Sequence, residues 1–121
     1  MSPVYFTKRG DVGRALFWRM SAIPDGLEGA AIQFNMRDQS TDELVIDRAP
    51  AAVADGTYLI DGAEVTFSPA DGVLIYEWQE ADLASARRCV AEFKIAVPGA
   101  GEITDPSRGF IDIVIGRDLD Q

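Results

Sequence analysis

Carboxylates are the most frequent side chains here that could do chemistry, among them Asp38, Asp42, Glu43, Asp47, Glu77, Glu80 and Asp82, with Asp118 and Asp120 near the end. A glycosidase needs two such groups facing each other across a cleft, one with a raised pKa. These residues fall instead on the expected outer faces of strands and in turns, where charge is ordinarily solvated. A calcium loop needs several oxygens converging from one segment, and no stretch reads D-x-D-x-D-G. The chain has no histidine and a single cysteine, Cys89. Zinc sites, Cys-His or Ser-His catalysis and an intramolecular disulfide are thereby excluded. Cys89 sits at an inward position of a strand pattern with no base beside it, so it is expected to act as a small hydrophobe. Arg9-Gly10-Asp11 spells an adhesion tripeptide, but Gly10 more simply serves a turn. No catalytic residue, metal or cofactor is assigned, and the expectation is that the chain is not an enzyme.

The elements that position these groups show an apolar period of two. In residues 31–37, Ile32, Phe34 and Met36 face one way, with Gln33, Asn35 and Arg37 opposite. Residues 89–97 repeat this with Cys89, Ala91, Phe93, Ile95 and Val97, and Ile111, Ile113 and Ile115 alternate with Asp112 and Val114. Residues 73–78 and 63–67 are further strands, while 4–8, 14–20, 43–47 and 57–60 are weaker ones. Asp-Gly pairs at 25–26, 55–56, 61–62 and 71–72 mark tight turns, since glycine accepts positive φ. The one helix-like stretch, 80–88, lacks an apolar stripe beyond Leu83 and reads as a short connecting turn. The expected fold is all-β, an antiparallel sandwich of seven to nine short strands in a single domain, 1–121. Uneven strand lengths favour a sandwich over a barrel. Residues 1–7 are a docking arm or an edge strand, where Pro3 and Lys8-Arg9 would discourage aggregation.

The chain has 121 residues, 47% hydrophobic and 26% charged, with a net charge of -9. That is globular composition, and the negative charge keeps the protein soluble while disfavouring nucleic acid and anionic membranes as partners. No run of 18 apolar residues could form a membrane-spanning helix. The first residues lack the apolar core of a signal peptide, and a lone thiol suits folding in a reducing cytosol. What remains is protein contact. Nine of the eleven basic residues are Arg, the cation favoured at interfaces. In 14–20, either strand phase leaves one of Phe17 and Trp18 facing outward, beside Arg19. Val4, Tyr5, Phe6, Arg9, Phe17 and Arg19 are therefore the expected partner interface.

In order, the motifs form a larger pattern: K-R-G-D at 8–11, F-x-M-R-D at 34–38, G-V-L-I-Y-E-W-Q at 72–79, A-E-F-K-I at 91–95 and G-F-I-D-I-V-I at 109–115. Nearly the whole chain resembles the immunoglobulin-like domain of tailed-phage virion proteins, as in the N-terminal domain of phage baseplate upper proteins. The resemblance implies an immunoglobulin-like sandwich with a structural role, made in the host cytoplasm and located in the virion. Baseplate proteins continue beyond this domain, whereas this sequence ends after its last strand. The expectation is therefore a capsid cement or decoration protein that contacts the major capsid protein, with homo-oligomers on the particle. A baseplate or tail accessory protein is the alternative, and a carbohydrate-binding sandwich the second. No site residue carries over, because the family shares a scaffold and not a site.

Overall fold

Alternating side chains, broken by glycine-containing turns, fold as extended segments throughout. The computed structural model describes residues 4–8, 15–20, 22–60, 62–107 and 109–116, with backbone alone for 4–8. The strands are β1 (Val4–Lys8), β2 (Ala15–Arg19), β3 (Ala31–Asp38), β4 (Leu44–Val53), β5 (Gly56–Ile60), β6 (Ala63–Phe67), β7 (Val73–Glu77), β8 (Arg87–Val97), β9 (Gly101–Asp105) and β10 (Ile111–Gly116). Each of the nine segments singled out by period two contains a strand, and β9 is an addition. The helix-like stretch is a 3-10 turn at Glu80–Leu83, and β8 already begins at Arg87. The four Asp-Gly glycines all have positive φ. Gly62 closes a two-residue connection between the paired residues Ile60 and Ala63.

The hydrogen-bonded order is β1-β10-β8-β3-β4-β7-β2, with β9 also on β8 and with β5-β6 a separate hairpin. Pairing is antiparallel except that β1 runs parallel to β10, Val4 beside Asp112 and Phe6 beside Val114. β10 takes residues 87–91 of β8 and β9 takes 93–97, so the two strands share one edge of β8 while β3 occupies the other.

β4 turns this ribbon into a sandwich. Its first part pairs with β3 as far as Ala51, and Ala52 and Val53 then pair with β7. Two register shifts give β4 extra residues relative to β3. At the first, Arg48 takes a left-handed φ of 55°, and its N–H donates to Asn35 Oδ1 at 2.7 Å. Bulges bend and twist a strand, and here the bend brings β7-β2 across from β3-β8-β10. The core lies between them. The Phe34 ring of β3 stacks on Tyr76 of β7 with centroids 4.5 Å apart, while Trp78 and Phe93 pack against Phe34 at 5.9 and 5.0 Å. Leu16, Ile32, Met36, Leu74, Cys89, Ile95, Ile111, Ile113 and Ile115 complete this all-β, immunoglobulin-like sandwich. At its end the Trp18 Nε1–H of β2 donates to the buried Asp105 carboxylate of β9, tying the two layers together.

The β5-β6 hairpin adds a partial third layer. Tyr58 and Phe67 pack with Phe17, Ala15, Val73, Ile75 and Ala54 on the outer side of β2-β7.

Candidate functional site

Two of the carboxylates, Asp38 and Asp82, hold local structure in place. Asp38, at the end of β3, accepts from Ser40 N at 2.9 Å, Ser40 Oγ at 2.8 Å and Thr41 N at 3.1 Å, and Arg87 Nη1 lies 3.5 Å away. The Ser40 hydroxyl, then the two backbone donors, hold this carboxyl below its ordinary pKa, so it stays ionised. Its work is to fold the loop between β3 and β4. Asp82 accepts from Tyr76 Oη at 2.6 Å and from Gln79 N at 2.8 Å. Burial, followed by the bond to Asp82, raises the Tyr76 phenol above its usual pKa and keeps it neutral. Burial likewise pushes the Cys89 thiol up to about 11, the condition of an unreactive core cysteine. Among the described residues no three His, Cys, Asp or Glu side chains come together to hold a metal.

Those of the expected partner-contact residues that the structure describes come from two strands. Val4, Tyr5 and Phe6 lie on β1, a paired strand at one end of the hydrogen-bonded order, whereas Phe17 and Arg19 lie on β2 at the other end. Arg9 and the Arg9-Gly10-Asp11 tripeptide lie outside the described residues, as do Asp118 and Asp120. Of the two phases open to residues 14–20, the one observed turns Phe17 away from the main core, and the chain's own hairpin packs over it. The Tyr58 ring meets it edge-on at 5.4 Å and Phe67 lies at 5.9 Å. Arg19 is exposed, and its Nη1 donates to Asp71 O at 3.1 Å.

Among the described residues four large apolar side chains are exposed, Ile23, Leu59, Leu44 and Phe110, and the last two share a face. Phe110 is 46% and Leu44 42% exposed, on the outer side of the β10-β8-β3-β4 sheet. Leu44 pairs with Arg37, and Arg37 with Val90, giving one outward row across three strands; Asn35 and Glu92 form the next. Together with Asp47 these residues line a shallow groove of about 460 Å³. One wall is fixed by the Asp38 loop, where Arg37 Nη1 sits 3.3 Å from both Asp42 Oδ1 and Asp42 O. One signal for this groove was present in the sequence. Phe110 is out of phase with Ile111, Ile113 and Ile115, whereas Leu44 shares the phase of Ile46 and is turned outward only by the register shift between them, which the alternation does not show.

A second, more open cleft of about 700 Å³ lies where β4 changes partner, between Pro50, Ala52, Tyr58, Ile75, Glu77 and Gln79. Tyr76 and Trp78 are each only 3% exposed and belong to the core, so they offer no stacking platform for a sugar. No protein-family model matches the chain, and no curated protein is significantly similar to it.

Proposed function

We propose that this chain is a non-enzymatic structural protein of a tailed phage or phage-like particle, acting as a capsid cement or decoration protein that bridges neighbouring shell subunits. One observation carries the reading: a sheet face, stiffened by the aromatic core beneath it, presents Phe110 and Leu44 to solvent beside ordered charge. Exposed apolar side chains rimmed by polar groups are the usual mark of a protein contact. The immunoglobulin-like sandwich is also the architecture that the virion resemblance implies.

The physical logic suits a lattice. A small brick burying on the order of 800 Å² per partner binds modestly in isolation. When one copy touches two neighbouring subunits, the second contact becomes intramolecular and the apparent affinity rises steeply. A net charge of -9 keeps unassembled copies apart in solution.

The test is co-sedimentation with purified capsids and with purified tails. Saturable, stoichiometric pelleting with capsids, with a rise in the temperature at which the shells open, is the expected result. Pelleting with tails alone transfers the role to a baseplate or tail accessory protein. Binding to neither particle, together with retention on a glycan array, replaces both readings with the carbohydrate-binding one.

A further inference from the structure

We infer that the groove between Phe110 and Leu44 takes an extended segment of a partner protein carrying an apolar side chain flanked by Lys or Arg. This deepens the proposed role, and rests on it only in assuming that the chain works by binding another protein.

The shape comes from the sheet. Leu44, Arg37 and Val90 lie side by side across β4, β3 and β8, with Asn35 and Glu92 in the adjoining row. Outward side chains on one strand recur about every 7 Å, and so do alternate side chains of an extended peptide. A peptide lying along this face can therefore set one apolar residue against Leu44, Val90 and Phe110 and its next same-side residue against the row that contains Glu92.

The charge comes from the rim. Asp42, Asp47 and Glu92 line the groove together with a single guanidinium, Arg37. Arg37 is held against Asp42, and Lys94 lies 3.3 Å from Glu92, so two carboxylates already have cations near them. Beyond the lining, Asp112, paired with Val90, is matched by Arg88, two residues before Val90 on the same face, so the negative balance is that of the lining itself, three carboxylates to one guanidinium. An acidic ligand would have to compete with Asp42 for Arg37, the one cation of the lining, whereas a Lys or Arg from a partner would meet Asp42, Asp47 and Glu92. A second copy of the chain is the wrong occupant. Each copy carries -9, and face-to-face docking would set like charges together.

The experiment titrates the full ¹⁵N-labelled chain with three short synthetic peptides at low salt. The first has Leu at its centre and Lys at alternate positions beside it. The second replaces Lys with Glu, and the third replaces the central Leu with Ser. Saturable shifts confined to the amides of Arg37, Leu44, Asp47, Val90, Glu92 and Phe110 are expected with the first peptide, and affinity at least about tenfold weaker with the other two. The Leu44→Ser/Phe110→Ser variant, altered only at exposed positions, should keep the melting temperature of the parent and lose about tenfold in affinity. Absence of shifts, shifts centred elsewhere, equal binding of the Glu peptide, or concentration-dependent dimerisation abolished by the double variant each overturn the inference. The proposed role is tested separately. If the double variant still pellets with particles like the parent, this groove is not the contact. If the Lys peptide binds but no particle does, the virion reading alone falls.

Discussion

Replacing Phe17 with Ala distinguishes a covered apolar patch from an open one. Fully burying a Phe and then truncating it to Ala costs about 3–5 kcal/mol. Phe17 is only partly buried, so roughly half of that applies, about 2 kcal/mol. Its edge-on contact with Tyr58 at 5.4 Å adds about 0.5–1 kcal/mol beyond area. The sum, about 2–3 kcal/mol, corresponds to a fall of roughly 10 °C in Tm for a domain of this length. The loss should also be local. β5-β6 pairs with no other strand among the described residues and is held down mainly through Phe17, Tyr58 and Phe67. Amide exchange across β5 and β6 should therefore accelerate more than exchange in β3 and β8. The assay is thermal unfolding together with hydrogen exchange, with Leu59→Ser as control. Leu59 is 72% exposed on the same hairpin and should change stability by no more than about 0.5 kcal/mol. If Phe17→Ala melts within a degree or two of the parent and leaves hairpin exchange unchanged, Phe17 is not buttressed by the hairpin, and the reasoning is refuted.

Three further outcomes are expected. Gly72 has φ +66°, and an added Cβ would lie 2.4 Å from Ile23 Cγ1. Ile23 is 48% exposed and can rotate aside, so the left-handed backbone sets the cost of Gly72→Ala at about 1–2 kcal/mol by denaturant unfolding. Full recovery on adding Ile23→Ala would reverse that ranking. Asp38 has a lowered pKa in the folded state, so as pH falls through the ordinary carboxylate range the unfolded chain takes up the proton first. Its stabilising contribution, complete above that range, fades as pH falls toward the folded value, and Asp38→Asn should flatten the stability–pH curve below about pH 4; superimposable curves would refute this. Cys89, with its pKa raised to about 11, should be alkylated at pH 8 roughly 100-fold more slowly than a free thiol, and reaction at the free-thiol rate would place it outside the core.

Much of this architecture was legible because period two specifies which residues share a face. The inward sets of β3, β8 and β10 came directly from that alternation. β9 was not legible, since Gly101 and Glu102 give no pattern and the strand is imposed by pairing, with Ile103 beside Ile95. β4 was half legible. Proline ordinarily interrupts a strand, yet β4 continues through Pro50 to Val53, because over residues 44–51 no strand among the described residues pairs with its second edge, where a missing N–H costs little.

The candidate site was harder to find for a related reason. Parity marks Val90 and Phe110 as outward, leaves Phe17 and Trp18 as alternatives, and misses Leu44, which shares the phase of Ile46 and is turned out by the bulge in β4. What lies over an outward face is decided by segments remote in sequence, here a hairpin after β4 that folds back across β2 and β7. The chain uses that hairpin to cover one outer face and leaves Leu44 and Phe110 in the open on the other. The strongest apolar signal near the start of the sequence thus became interior packing. The weaker signal, Phe110 out of phase beside a good strand, marks the surface on which a partner would have to land, and the bulge in β4 adds Leu44 to it.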